Sequence, residues 1–247
     1  MKTFRKMLKI ESKLSIRDMN MIIFALIMPV IVLVILGVIY GDKPAFEGAK
    51  FTYIDQSFGA LSSIAICASG LMGLPILISD YRERKILKRF QVTPISPSLI
   101  LFVHFTIYTL YSVLSAILLW IVAKLFWGFT MKGSVLLFLG GWVLVLTSIL
   151  SIGVLVGGIA KNSKQASIIA SVLYFPMLTF SGATLPYEVM PKTMQHMVDV
   201  MPLTQGIKIL KAAATGEPLN QILLPVVIMV IIAIIFIGIS IKVFRWE

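Results

Sequence analysis

Residues 80–96, DYRERKILKRFQVTPIS, are the one long and strongly charged segment that lies between two long apolar runs. The segment carries two acids and five basic side chains, which are Arg82, Arg84, Lys85, Lys88 and Arg89. Membrane-insertion scales give a cost of about 3 kcal/mol for an Arg or Lys at the bilayer centre. The segment therefore lies in water, and the apolar runs on either side of it are predicted to cross a membrane.

The same segment has the pattern of a short amphipathic helix. Ile86, Leu87 and Phe90 share one side of that helix, and most of the charged side chains lie on the other. Thr93-Pro94 ends it, because proline disfavours the helical region for the residue before it. Two interpretations are open at this point: a surface that binds a partner, or a solvated connector kept basic for membrane topology.

The composition is that of an integral membrane protein. Hydrophobic residues make up 58% of the 247-residue chain and charged residues only 13%, which excludes an ordinary soluble domain. The net charge of +11 does not indicate nucleic-acid binding, because the basic residues cluster at the ends of apolar runs. Cys67 is the single cysteine, so the fold has no internal disulfide.

Six apolar runs predict an all-α membrane protein with six transmembrane helices. The predicted spans are residues 21–40, 57–79, 99–123, 134–159, 166–181 and 221–241. Together they form one transmembrane domain over residues 21–247. Each run approaches the roughly 20 apolar residues that cross the hydrocarbon core, although the fifth run is short. Six crossings place both termini on the same side of the membrane.

Residues 1–20 predict an interfacial helix ahead of the first span. Six basic side chains fall within one arc of about 120°, opposite an apolar face, which is the pattern of a helix lying in the membrane–water interface. Glu11 and Asp18 fall on the apolar side. That position would let them pair with basic side chains of residues 80–96.

The distribution of basic residues predicts the orientation of the chain. The N-terminal segment, residues 80–96, the loop after the fourth span and the C-terminal tail hold 15 Lys and Arg, and the other three loops hold 7. Cytoplasmic loops carry the excess of basic residues in membrane proteins. We therefore expect a multi-pass protein of the cell membrane with both termini in the cytoplasm.

A proline-rich segment, Gly182–Pro218, precedes the last span. It contains two short apolar faces at helical spacing, and methionines line the first of them. Neither face is long enough to cross a bilayer, so we expect two short extracellular re-entrant helices that dip into the outer leaflet and return. An outer loop that lies on the bilayer is the alternative.

The predicted spans lack the residues that membrane catalysis or ion coupling would need. They contain no Asp, Glu, Lys or Arg, which ion-coupled transporters usually place within the bilayer. The chain has no H-E-x-x-H or G-x-S-x-G motif and no phosphate-binding loop. His104 is expected to be an interfacial side chain rather than a ligand. Gly153-x-x-x-Gly157 predicts a close helix contact.

Two motifs resemble those of ABC-2 permeases, the membrane subunits of type 2 ABC transporters. The family's cytoplasmic motif, E-R-G-T-L-E-R-L-L-V-T-P, is matched at Glu83-Arg84, Leu87, Arg89 and Val92-Thr93-Pro94. Its S-G-x-x-x-P…P…P-x-T run before the last span is matched at Ser181-Gly182, Leu185-Pro186, Pro191 and Pro202-Leu203-Thr204. Two positions depart from the first motif: Lys85 replaces the usual glycine and Lys88 the usual acid.

The resemblance implies a transport subunit without catalytic residues, metal or cofactor of its own. In this family the interfacial helix and the loop after the second span face a separate ATPase that binds ATP and Mg²⁺, and two permease chains pair. The implied ATPase-coupling residues are Arg82, Glu83, Arg84, Lys88, Arg89, Thr93 and Pro94. The implied residues of the outer gate and the re-entrant helices are Ser181, Gly182, Pro186, Pro191 and Pro202.

The resemblance also implies outward transport, since the family exports drugs, peptides, lipids and glycans. A path lined by apolar, methionine and aromatic side chains suits an amphiphile. Two other functions stay open. The chain could be a membrane anchor or sensor that binds an ATPase without moving solute. It could also be a secondary transporter, although the lack of ionisable residues in the predicted spans argues against ion coupling.

Overall fold

The protein is built from α-helices. The computed structural model describes residues 2–41, 43–45, 48–49, 51–91, 96–182, 187, 190–218, 220 and 222–243. These residues form helices and connecting turns without a β-strand, which confirms the predicted all-α class. The helices are α1 Lys2–Ser15, α2 Met19–Ile22, α3 Met28–Tyr40, α4 Tyr53–Cys67, α5 Leu74–Glu83, α6 Ile86–Gln91, α7 Pro97–Trp127, α8 Val135–Ile159, α9 Ser163–Phe180, α10 Lys192–Val198, α11 Pro202–Thr215 and α12 Leu223–Val243.

Within the described chain, five helical stretches are long and apolar enough to cross a bilayer. They are Ile23–Tyr40, Tyr53–Glu83, Leu99–Trp127, Val135–Ile159 and Leu223–Lys242. They coincide with the predicted first, second, third, fourth and sixth spans. The predicted fifth span falls on α9, which is not among them because its first turn, from Ser163 to Gln165, is polar. The six-span arrangement therefore stays a prediction.

Two π-helical turns continue the first two spans through proline. The turn Ile23–Ile27 joins α2 to α3, and the turn Ala68–Gly73 joins α4 to α5. Pro29 and Pro75 each follow two residues later. Proline donates no N–H, and its ring clashes with the carbonyl four residues earlier. The wider π turn accommodates this local mismatch, so both helices continue past their prolines.

The continuous helix from Tyr53 to Glu83 lies at the centre of the protein. Nearly all of its apolar part is buried, whereas α3 and α12 leave most of their apolar side chains exposed. In a membrane protein such exposed apolar faces contact lipid. The central helix is also longer than the predicted span of residues 57–79. As a result, Asp80, Arg82 and Glu83 belong to its end and not to a separate short helix.

Glycines let α8 pack closely against this central helix. A Cβ atom on Gly153 would lie 2.1 Å from the Gly70 carbonyl oxygen. A Cβ atom on Gly157 would lie 2.9 Å from the Cβ atom of Ile78. Both distances are far shorter than van der Waals contact, so the two backbones can approach only because these positions lack side chains. The close contact predicted from Gly153-x-x-x-Gly157 is confirmed.

The segment before the last span contains two short helices, as predicted. Helix α9 ends at Phe180, and α10 and α11 follow before α12. Helix α11 is buried along most of its length, where it packs between α4 and α8. A Cβ atom on Gly59 would lie 2.7 Å from the backbone of Leu210, so α4 and α11 touch backbone to backbone. The insertion of these helices into a lipid leaflet stays a prediction.

Candidate functional site

A sharp turn separates the central helix from the short helix α6. The backbone N–H of Arg84 donates to the Asp80 carbonyl, and that of Lys85 to the Arg82 carbonyl, both at 2.9 Å. Lys85 then adopts a φ of 57°, in the left-handed region that costs a residue with a Cβ atom about 1–2 kcal/mol. Glycine avoids that cost, which explains why the family motif has glycine at this position. Leu87, only 2% exposed, anchors α6 to the bundle.

Arg82 and Glu83 join the end of α5 to the turn between α8 and α9. The Nη1 atom of Arg82 donates to the Ala160 carbonyl at 2.8 Å. The Oε2 atom of Glu83 accepts from the Ser163 backbone N–H at 3.0 Å and from the Ser163 hydroxyl at 2.7 Å. Ser163 is the first residue of α9, where free N–H groups and the helix dipole favour a carboxylate. We call these contacts the Arg82–Glu83 clamp.

Arg84 and Lys88 point away from the bundle. Both are exposed, and Arg84 Nε lies 2.8 Å from Asp80 Oδ1 in an ion pair one helical turn apart. An exposed pair of this kind contributes at most about 0.5 kcal/mol, so the Arg84 charge remains largely available to a partner. The side chain of Arg89 and all of Thr93 and Pro94 lie outside the described residues.

Helix α1 is attached to the end of the central helix by a buried carboxyl group. The Tyr81 hydroxyl donates to Oε2 of Glu11, which is only 6% exposed. Burial raises the pKa of Glu11, and the hydrogen bond from Tyr81 partly opposes that shift. Glu11 therefore contacts residues 80–96, but through the Tyr81 hydroxyl and not through one of the basic side chains that were expected to pair with it.

His104 is the residue of this region whose role sequence reasoning missed. It is 2% exposed, so it lies inside the protein and not at the interface. Its Nε2 atom is 4.0 Å from Glu11 Oε2, and its ring meets the Tyr81 ring edge-on at 5.4 Å. Glu11, Tyr81 and His104 thus join α1, α5 and α7. A lone histidine at the start of an apolar run carries no signal of such a contact.

The predicted outer-gate residues take up positions at helix ends. Ser181 follows α9, Gly182 has a φ of 91°, Pro191 precedes α10 and Pro202 begins α11. Pro186 lies outside the described residues. Among the described residues of this set, Ser181 and Gly182 line a common cavity.

That cavity, which we call the Gln56 cavity, has a volume of about 230 Å³. Its lining includes Gln56 at the start of α4, Ser181 and Gly182 after α9, and Thr204 near the start of α11. Sequence reasoning missed Gln56, which directly precedes the predicted second span. The sequence indicated Thr204 only as the last residue of the Pro202-Leu203-Thr204 motif, without a role in a cavity.

Residues 2–214 match the family model described as ABC-2 type transporter. The chain belongs to the ABC-2 type transporter family. The family match and the five long apolar helices of the described chain identify it as a multi-pass membrane protein of a transporter family.

Two curated relatives of this ABC-2 chain are named as transport permeases. Each is called inner membrane transport permease YhhJ, one from Escherichia coli strain K12 and one from Shigella flexneri. Each is 27% identical over 171 residues, which cover 69% of this chain and 44% of the relative. The chain thus spans less than half the length of the curated relatives it matches.

Proposed function

We propose that this chain is the membrane subunit of an exporter that moves an amphiphilic molecule outward, using ATP hydrolysed by a separate ATPase chain. Membership of the ABC-2 family and the presence of several apolar helices support a transport role. The amphiphile would be a drug, a peptide, a lipid or a glycan. The working unit would contain two permease chains and two ATPases, in the cell membrane, with both termini in the cytoplasm and with ATP and Mg²⁺ on the ATPases.

The Arg82–Glu83 clamp is the observation that carries this proposal. It connects the end of the buried central helix to the first residue of α9, so a force on one helix at this end would be transmitted to the other. Exposed Arg84 and Lys88 follow directly after it. A partner that pulls on these two cations would therefore act on the two helices at once.

The charge pattern indicates the kind of partner surface that fits. Arg84 and Lys88 are exposed cations, and Arg forms strong paired hydrogen bonds with carboxylates. An acidic groove on an ATPase would match them. The sharp turn at Lys85 holds α6 at a fixed angle to α5, so movement of α6 reaches α5 rather than being absorbed by a loose loop.

The test is purification of the tagged chain from its native membrane, followed by measurement of ATPase activity in the copurifying material. We expect ATPase activity that is stimulated in reconstituted vesicles and that drives efflux of an amphiphilic dye such as Hoechst 33342. Arg84→Ala/Lys88→Ala should abolish stimulation. The matched control is Lys192→Ala, which removes an exposed cation at the start of α10.

The same experiment separates the alternatives. ATPase binding and stimulation without movement of any solute would indicate an anchor or sensor. Solute movement that does not need ATP would indicate a secondary transporter. Unchanged stimulation in Arg84→Ala/Lys88→Ala would remove these residues from the ATPase interface.

A further inference from the structure

Three buried side-chain oxygen atoms that have no partner among the described residues line the Gln56 cavity. Within the described residues, Gln56 Oε1, Ser181 Oγ and Thr204 Oγ1 make no hydrogen bond. These residues are only 6%, 1% and 1% exposed, and all three line the same cavity. Buried polar groups in native proteins are nearly always hydrogen-bonded. A molecule bound in the cavity would supply a partner for these three groups.

Three charged side chains line the same cavity: Lys208, Lys211 and Glu217. Lys208 Nζ lies 2.6 Å from Asp199 Oδ1 and 4.0 Å from the centre of the Tyr187 ring, so its charge is already balanced. Lys211 Nζ lies 5.7 Å from the centre of the Phe51 ring. An ammonium group has three N–H donors, so Lys211 can bind an anion while it keeps its existing contacts.

We propose that the Gln56 cavity binds the headgroup of an amphiphile that carries a phosphate or carboxylate and, beside it, an N–H or O–H donor. The Ser181 and Thr204 hydroxyls and the Lys211 ammonium donate to the anionic group. Gln56 Oε1 accepts from the neighbouring donor. The volume of about 230 Å³ accommodates a small headgroup.

The apolar part of the lining fits the rest of such a ligand. Ala60, Ile207 and Ile222 line the cavity beside the polar groups. They would contact the first methylene groups of an acyl chain, since burying each methylene contributes favourably to binding. An amphiphile therefore matches this cavity better than a fully polar solute does. The inference concerns binding alone, so it stands apart from the exporter proposal.

Calorimetry on the chain purified in a neutral maltoside detergent tests the ligand class. We expect dihexanoyl-phosphatidylethanolamine, which has a phosphate and an ammonium donor, to bind. Dihexanoyl-phosphatidylcholine, whose headgroup lacks an N–H, should bind about tenfold more weakly. Free phosphoethanolamine should also bind more weakly, because it has no acyl chain. Equal affinity for free phosphoethanolamine would overturn the amphiphile assignment, and no binding of any probe would overturn the site.

Single substitutions test the roles of the residues. Thr204→Val and Lys211→Met should each weaken phosphatidylethanolamine binding about tenfold, and Thr204→Ser should restore it. Gln56→Leu should abolish the discrimination between phosphatidylethanolamine and phosphatidylcholine. The matched control is Ser115→Ala, because Ser115 is also buried and unpartnered within the described residues but does not line this cavity.

Two results would contradict the residue roles. One is wild-type affinity in both single variants, Thr204→Val and Lys211→Met, when thermal unfolding midpoints show that each variant is folded. The other is an equal loss of affinity in Ser115→Ala. Binding without ATP-driven transport would reject the exporter proposal and keep the site. Transport with no binding would reject the site alone.

Discussion

Glu83 accepts two hydrogen bonds from Ser163, one from its backbone N–H at 3.0 Å and one from its hydroxyl at 2.7 Å. The two residues are far apart in sequence, yet this contact places a carboxylate on the first turn of α9. The acid of the first family motif thus has an intramolecular partner. Its proposed effect on an ATPase would then pass through α9 as well as through direct contact.

We predict that Glu83→Ala reduces both ATPase stimulation and export at matched membrane levels of the complex. The substitution removes the acceptor at the start of α9 and leaves the basic charges that set topology in place. Glu83→Gln should retain part of the activity, because its amide oxygen can still accept from Ser163. Normal stimulation and export in Glu83→Ala would return the residue to the role of a solvated connector.

We predict that Lys85→Gly stabilises the turn between α5 and α6 by up to about 1 kcal/mol, because the relief of the left-handed backbone outweighs the added freedom of glycine in the unfolded chain. Lys85→Asn should rank next, and Lys85→Val should be the least stable, since β-branched residues tolerate this region poorly. Thermal unfolding midpoints in detergent give the order. Gly, Asn and Val all lack the charge of lysine, so charge does not explain a difference among the three variants. Any other order of their unfolding midpoints would contradict the assignment of backbone strain at position 85.

We predict that the pKa of Glu11, raised by burial, makes the packing of α1 more stable at low pH. A folded-state pKa above the unfolded value contributes stability that is present below the unfolded pKa and lost as pH rises through the folded pKa. The stability contributed by Glu11 is therefore lost over a pH range that begins near the ordinary glutamate pKa of about 4.3 and extends upward. Thermal unfolding midpoints between pH 4 and about pH 8 measure this loss of stability.

Glu11→Gln keeps an acceptor for the Tyr81 hydroxyl and removes the titration. The variant should lose the part of the pH dependence that comes from Glu11, and it should gain stability at neutral pH relative to the wild type. His104 lies within 4.0 Å of the carboxylate, so His104→Gln is the necessary comparison. A pH dependence that survives in Glu11→Gln and disappears in His104→Gln would assign the effect to the histidine.

We predict that Gly153→Ala destabilises the bundle by about 1–3 kcal/mol, because its methyl group would overlap the Gly70 carbonyl. Gly158→Ala is the matched control: a Cβ atom there meets nothing within 4 Å in this chain. Alanine in a helix is favoured over glycine by about 1 kcal/mol, so the control should be neutral or stabilising. Fluorescence-detected size-exclusion chromatography after heating distinguishes the two variants. Equal behaviour would mean that α8 and the central helix do not touch at Gly153.

We predict that Thr193→Cys is labelled by a membrane-impermeant maleimide added outside intact cells and that Ser96→Cys is protected. Both positions are exposed in the protein, so the bilayer and not burial decides the result. A Cys67→Ala background removes the buried native thiol. Labelling of Ser96→Cys with protection of Thr193→Cys would reverse the orientation.

Much of the helical framework could be predicted from hydropathy, because an apolar segment in lipid must satisfy its backbone hydrogen bonds internally and therefore forms a helix. Five of the six predicted spans coincide with long apolar helices, and the two short helices before the last span were also predicted. The end of the second span was harder to place. Hydropathy falls at Asp80, but the backbone continues as a helix to Glu83, because charged side chains with nearby partners do not break a helix.

The side-chain partners could not be predicted, because they join residues that are far apart in sequence. Nothing local shows that Glu83 meets Ser163 or that Tyr81 meets Glu11. The Gln56 cavity presents the same difficulty, since it is formed by α4, the end of α9 and α11 together. The two family motifs included Glu83 and Thr204. They did not show that Glu83 caps α9 or that Thr204 lines a cavity.

The π-helical turn from Ala68 to Gly73 has a consequence for how the length of this chain can vary. An α-helix advances about 100° per residue, and a π turn holds one residue more than an α turn. The π turn takes up that extra residue within one turn, so the regular helix after it keeps its rotational phase. Removing a residue between Leu74 and Tyr81 would instead rotate Arg82 and Glu83 by roughly a quarter of a turn, away from the start of α9. Between Leu74 and Glu83, therefore, the number of residues matters as much as their identity.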